Sequence, residues 1–213
     1  MKALLFDLDG TILDTRDLIL VSMQYAYSTI LGEDTLPSDD ELLSMVGIPL
    51  MKQMELLSPE KSMELYDAYI ENNSRAQDSM LKSFCGTADT LSALKERGYR
   101  LAVITSKRHE PAVHGLEVTG LAEYFEIVLG ADDTTEHKPR PEPLLDAACL
   151  MGLTVDECLY VGDSPYDMQA ARSANMYAVG ALWGMFTKEV LLNAGAEVLI
   201  SHISELPEVL ERL

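Results

Sequence analysis

Ala3-Leu4-Leu5-Phe6-Asp7-Leu8-Asp9-Gly10-Thr11 decides the fold. Four consecutive apolar residues read as a short strand buried on both faces, and two acids stand where that strand ends. In open α/β sheets the carboxyl ends of the strands are where ligands bind. Side chains alternate along extended backbone, so Asp7 and Asp9 can point the same way, about 6 to 7 Å apart by strand rise. Two carboxylates that close repel each other unless a cation lies between them. Mg²⁺ is the natural candidate, a hard ion that takes one or two carboxylates and keeps its other positions for water and phosphate oxygens. The bland reading of the same residues is a surface turn, because Asp and Gly are common in turns. A calcium loop fits less well, since it wants a third Asp or Asn and then Gly at its sixth position, whereas Gly10 is fourth.

Five further segments read as strands or their ends: Tyr99 to Ile104, Tyr124 to Leu129, Cys158 to Val161, Met176 to Val179 and Glu197 to Ile200. Helical stretches separate them, among them Thr87 to Arg97, stopped by Gly98, and Pro141 to Met151, stopped by Gly152. Short apolar strands alternating with amphipathic helices predict an α/β fold with a doubly wound parallel sheet. The stretch from about Asp14 to Ser83 breaks the alternation. It offers helices at Leu18 to Leu31, after Ser38 with Glu41 in capping-box spacing, around Leu50 to Leu57, and from Ser58-Pro59 onward, with no convincing strand. The expected organisation is a core of residues 1–14 and 83–213 carrying an inserted helical domain at 15–82. Placed directly after the Asp7/Asp9 strand, the insertion lies at the carboxyl edge and can serve as a lid.

Other strand ends deliver compatible groups. Ile104 runs into Thr105-Ser106-Lys107, which offers hydroxyls and loop amides to a phosphate oxygen, although Thr and Ser are also ordinary turn formers. Lys138 precedes Pro139, Pro141 and Pro143, which stiffen the backbone ahead of a helix and let the lysine be aimed. Val161 runs into Gly162-Asp163-Ser164-Pro165-Tyr166-Asp167. Asp163 can complete a metal site begun by Asp7 and Asp9. Asp167 can join it, hold a metal-bound water or Lys138, or simply cap the following helix.

Composition limits the partners. The 213-residue chain is 47% apolar with a formal net charge of -19, which disfavours a nucleic-acid backbone or an anionic membrane surface. It does not disfavour a small phosphorylated substrate, because distant surface charge is screened over about 10 Å. Cys85, Cys149 and Cys158 have no zinc-like or CxxC spacing, and a reducing cytoplasm is the simplest compartment. No basic-then-apolar leader opens the sequence, and no apolar run approaches the roughly 18 residues of a membrane span. Oligomeric state is not legible.

Asp7-Leu-Asp-Gly-Thr, Thr105-Ser-Lys, Lys138 before Pro139, and Gly162-Asp163-Ser164 with Asp167 resemble the four ordered motifs of the haloacid dehalogenase superfamily, across the whole chain. The helical insertion resembles that family's helical cap. Gly115 to Leu121, Asp132-Asp133 and Lys138 to Pro143 look most like the phosphoglycolate phosphatases and the similar PpaX-type pyrophosphatases, with Arg140 departing from the usual acidic or small residue. The resemblance implies a Mg²⁺-dependent phosphatase acting on a small phosphorylated metabolite. In it Asp7 attacks phosphorus to form an aspartyl-phosphate, and Asp9 serves as acid and then base. Asp7, the Asp9 backbone carbonyl and Asp163 hold the metal, while Thr105, Ser106 and Lys138 hold the phosphoryl oxygens.

Dehalogenation is disfavoured because dehalogenases of this superfamily lack the second acid of the first motif. Phosphonate cleavage needs a cap lysine, and Lys52 in Gly47-Ile-Pro-Leu-Met-Lys52 does not match in spacing. Sugar-phosphate mutase chemistry and a non-catalytic phosphate-responsive binding protein remain as alternatives. Gly47 to Lys52 is the cap stretch expected to enter the site. There Lys52 could meet a carboxylate or second phosphate or be a solvated helix lysine.

Overall fold

Residues of the first strand, β1 (Ala3–Phe6), go alternately to two faces, and each face is packed against its own apolar cluster. Leu4 and Phe6 lie with Leu101, Val103, Leu159 and Val161; Ala3 and Leu5 lie with Ala102, Ile104, Cys158 and Tyr160. The computed structural model describes all 213 residues. After β1 come β2 (Leu13–Asp14) and β3 (Lys82–Ser83), which pair only with each other, antiparallel. The remaining strands are β4 (Arg100–Ile104), β5 (Ile127–Leu129), β6 (Cys158–Gly162), β7 (Tyr177–Ala181) and β8 (Val198–Ile200). They form with β1 a six-stranded, wholly parallel sheet in the order β5-β4-β1-β6-β7-β8. Strand order reverses between β1 and β6, the crevice where doubly wound folds bind ligands. Phe6 is paired with Val103 on one side and Val161 on the other, so three chains leave the sheet at one level.

Between β2 and β3 the chain makes α1 (Arg16–Leu31), α2 (Asp39–Leu43), α3 (Leu50–Leu57) and α4 (Ser62–Met80). Their inward residues, including Met23, Leu42, Met54 and Leu65, form a third apolar cluster apart from the sheet. The β2/β3 ribbon draws the two ends of this stretch together, with Leu13 opposite Ser83 and Asp14 opposite Lys82.

Six later helices cover the sheet. α5 (Thr87–Glu96), α6 (His109–Val118) and α10 (Leu206–Glu211) pack on the Leu4/Phe6 face; α7 (Glu142–Leu150), α8 (Pro165–Ser173) and α9 (Lys188–Ala194) pack on the other. This is the right division for a parallel sheet, whose strands must be dry on both sides.

Two expectations need correction. The Tyr124 to Leu129 segment begins as a 3₁₀ turn (Ala122–Tyr124), and only Ile127–Leu129 pairs with β4. Ser58 does not cap a long helix: Pro59–Lys61 is a separate 3₁₀ turn, the Ser58 side chain makes no capping bond, and α4 starts at Ser62. Ser38 does form the full capping box with Glu41.

Leu159 is fully buried at the centre of the sheet. Leu159→Ala is expected to lower the unfolding free energy by about 2–5 kcal/mol in urea titrations. A loss below about 1 kcal/mol would show that this face of the sheet repacks freely.

Candidate active site

The Asp7 N–H donates to Val161 O at 2.9 Å, prolonging the sheet by one bond and setting the carboxylate above the β1/β6 crevice. The chain then turns back: the N–H groups of Thr11, Ile12 and Leu13 all donate to Leu8 O. This tight loop brings Gly10, at φ +83°, against Asp163; a Cβ there would stand 2.4 Å from Asp163 Oδ2. Glycine is required on both counts.

Asp163 follows β6 and is held at both oxygens. Thr11 Oγ1 donates to Oδ1 at 3.0 Å, and the Met185 N–H donates to Oδ2 at 2.8 Å. Lys138 enters from the loop before α7 with its side chain buried, and its ammonium donates to Asp7 Oδ1 at 2.8 Å and Asp167 Oδ1 at 2.7 Å. Tyr160 OH at 3.0 Å and Ile104 O at 3.3 Å surround it further. Asp167 does two of the things weighed for it. Its Oδ2 accepts from Ser164 N and Oγ, closing a capping box at the start of α8, while Oδ1 holds Lys138.

One oxygen from each of Asp7, Asp163 and Asp167 lies within 4.8 Å of the others, all buried. Three carboxylates facing one ammonium leave an excess of negative charge in a dry place. Burial first, and Asp167 second, push Asp7 well above the ordinary carboxylate value, and the same two causes push Asp163 up to about 7. Burial opposes the charge of Lys138, but Asp167 and Asp7 outweigh it and raise its pKa. An all-oxygen, carboxylate-rich donor set of this charge fits a hard divalent cation such as Mg²⁺.

Asp9 is not in that triad. Its carboxylate turns to Lys107, whose ammonium lies 3.1 Å from Oδ1 and 3.3 Å from Oδ2. Thr105 is buried at the end of β4, its N–H bonded to Leu129 O and its Oγ1 accepting from the Lys107 N–H. Ser106 Oγ donates to Gly47 O at 2.7 Å, joining the loop after β4 to the helical layer. Gly47 sits at φ +108° with Tyr166 and Ser164 so close that a Cβ would collide with them.

A cavity of about 250 Å³ opens beside Asp7 and Asp9, walled on the helical side by Val46, Ile48, Leu50 and Tyr69. Gly47, Thr105 and Ser106 reach it. Lys52 does not: it stands on the outer side of α3, well exposed, paired with Glu55. Sequence reasoning missed Tyr160, Thr11 and the Lys107–Asp9 pair. Thr11 belongs to the quoted motif, and Tyr160 lies on the α7/α8 face of β6, a position that alternation alone would assign to apolar core.

A family model described as haloacid dehalogenase-like hydrolase matches residues 4–181. A protein named "Putative pyrophosphatase PpaX" from Caldanaerobacter subterraneus subsp. tengcongensis is 36% identical, over 99% of this chain and 95% of its own length. Another of that name, from Clostridium perfringens, is 33% identical over 100% and 99%. The crystal structure of a predicted phosphatase from Clostridium acetobutylicum superposes with a TM-score of 0.89 at 27% identity, covering 100% of this chain and 99% of that one.

The raised Asp163 pKa carries a sign. A group whose folded value lies above its unfolded value near 3.8 costs stability once ionised, and the cost grows as pH rises from about 3.8 to about 7 and is constant above that. In EDTA, Asp163→Asn is therefore expected to raise the melting temperature at pH 8, with the gain shrinking as pH falls towards 5. A gain independent of pH would refute the electrostatic account.

Proposed function

The chain belongs to the haloacid dehalogenase-like hydrolase family and is a phosphatase of it, and from that premise we propose that it hydrolyses a small-molecule phosphate ester or anhydride, with Mg²⁺, through an aspartyl-phosphate on Asp7. The observation that carries this reading is the buried Lys138, bonded to Asp7 in a cavity that Asp9 also lines. Binding alone needs no nucleophile and acid placed together.

Asp7 Oδ1 is held by Lys138, and no protein donor holds Oδ2, which is the oxygen left to attack phosphorus. As the Asp7–phosphorus bond forms, the bond to the leaving oxygen breaks and Asp9 supplies the proton that oxygen needs. Water then attacks the aspartyl-phosphate, Asp9 takes its proton, and Asp7 and inorganic phosphate are released. Lys138, Thr105 and the hydroxyl of Ser106 face the charge spread over the phosphoryl oxygens. Mg²⁺, which Asp7, Asp163 and the Asp9 backbone carbonyl would hold with Asp167 beside them, supplies positive charge that offsets the repulsion between nucleophile and phosphoryl group.

Residues 15–82 act as a cap domain over a core of 1–14 and 83–213, and the apolar wall they contribute lowers the dielectric around the reacting atoms. The names of the 36% and 33% identical relatives make pyrophosphate one candidate substrate, and the motif likeness makes phosphoglycolate another. No helix is long and apolar enough to cross a membrane, and the three cysteines are unpaired, which supports a cytoplasmic enzyme.

Phosphate release is to be followed with Mg²⁺ and with EDTA across pyrophosphate, phosphoglycolate, sugar phosphates and p-nitrophenyl phosphate. Turnover is expected only with the metal. Asp7→Asn should lose activity by about 10³-fold or more while remaining folded. Asp9→Ala should lose about 10²–10⁴-fold and retain phosphate binding. Appreciable turnover by Asp7→Asn would remove the covalent route, and rapid turnover by Asp9→Ala would assign the proton transfers elsewhere.

A further inference from the structure

Two lysines stand at this site in different states of satisfaction. Lys138 has four oxygen neighbours for its three N–H bonds. Lys107 has only the two oxygens of Asp9, so one N–H of its ammonium has no protein acceptor. Its side chain is 15% exposed and that of Asp9 14%, and both line the cavity. That donor faces the cavity, where an anionic oxygen brought in by a bound molecule would replace water with a charge-assisted hydrogen bond.

The ammonium is also aimed. The Lys107 N–H is bonded to Thr105 Oγ1 at 3.1 Å and its C=O accepts from the Ala131 N–H at 2.8 Å, which fixes the backbone on both sides of the side chain. The other cation lining the cavity, Arg108, is mostly exposed and bonded to Asp132. Farther walls, at Val46, Ile48, Leu50, Met51 and Ile70, are apolar and would penalise a charge placed against them.

We propose that Lys107 is a specificity-determining residue that reads charge on the leaving group, sharing its ammonium between Asp9 and a carboxylate or phosphate oxygen carried within a few bonds of the scissile oxygen. Asp9 is the acid assigned to the leaving oxygen, so an ammonium hydrogen-bonded to Asp9 stands beside the leaving group. This role rests on the phosphatase reading above. It selects substrates whose leaving group is itself a short anion over neutral or long ones, which offer the third N–H no charge-assisted bond.

The test compares kcat/KM of the wild type, Lys107→Met and Lys107→Arg for pyrophosphate and phosphoglycolate against p-nitrophenyl phosphate, whose leaving group carries no carboxylate or phosphate. The wild type should favour at least one of the two anionic-leaving-group substrates. In Lys107→Met the ratio of that rate constant to the p-nitrophenyl phosphate value should fall at least tenfold, and Lys107→Arg should restore most of it. Calorimetry provides a reading apart from turnover: the preferred anionic substrate should bind Asp7→Asn at least tenfold more tightly than Asp7→Asn/Lys107→Met. A uniform loss on all substrates, with the ratio unchanged, would reduce Lys107 to a support for Asp9 and overturn the proposal. So would a wild type with no preference for either anionic substrate. Absence of Mg²⁺-dependent turnover of all three substrates by the wild type would instead sink the phosphatase reading, and the role of Lys107 with it.

Discussion

A lysine ammonium buried between Asp7 and Asp167 is the constraint on which the rest of the site depends. Taking either partner from a buried ion pair of this kind costs about 3–5 kcal/mol, because the remaining charge is stranded without water. Lys138 therefore ties together the end of β1, the first turn of α8, the Ile104 carbonyl on β4 and the Tyr160 hydroxyl on β6. These attachments hold the Asp7 carboxylate at the strand-order reversal. The same pairing leaves the carboxylates of the site more numerous than its buried ammonium, a balance that fits a divalent cation.

Charge and apolar surface are divided between the two layers. Sheet-derived loops carry Asp7, Asp9, Lys107, Lys138 and Asp163, while α1, α3, α4 and the turn at Val46 to Pro49 contribute mostly aliphatic and aromatic walls to the cavity. A low-dielectric wall strengthens each charge–charge interaction opposite it, so the helical layer adds to the electrostatics without carrying many charges of its own. One contact between the layers runs through backbone: Gly47 offers its carbonyl to Ser106 and leaves no room for a side chain against Tyr166. That close approach is why residue 47 matters although it has no functional group.

Legibility followed range of interaction. The strands at Ala3, Leu101 and Cys158 were readable because two-faced burial makes short continuous apolar runs, and the polar residues that interrupt such runs mark their ends. Asp7 and Asp163 follow β1 and β6 directly, and Lys138 enters from the loop before α7. The segment before Ile127 misled because Tyr124 and Phe125 are apolar enough to extend a strand, yet they pack on the Leu4/Phe6 face from a 3₁₀ turn and the bend that follows it. Pro59 misled because Ser-Pro opens a 3₁₀ turn as readily as an α-helix, and nothing local distinguishes the two. Of the two readings of Lys52, the solvated helix lysine is the one the structure has, since helical phase on α3 turns it outwards to Glu55.

By itself the sequence determined a parallel α/β sheet with a helical insertion, three polar strand ends and a lysine in a proline-stiffened loop, because periodicity and chain punctuation are properties of neighbouring residues. Tertiary structure alone decided which charges meet. Asp167 is shared between a helix cap and Lys138, Thr11 is turned onto Asp163, and Lys107 faces Asp9 across 98 positions of sequence. Such pairings depend on the register of strands and on a loop whose Gly10 comes too close to Asp163 to carry a side chain, quantities to which no local pattern is sensitive. They are set only when burial forces each polar group to find a partner.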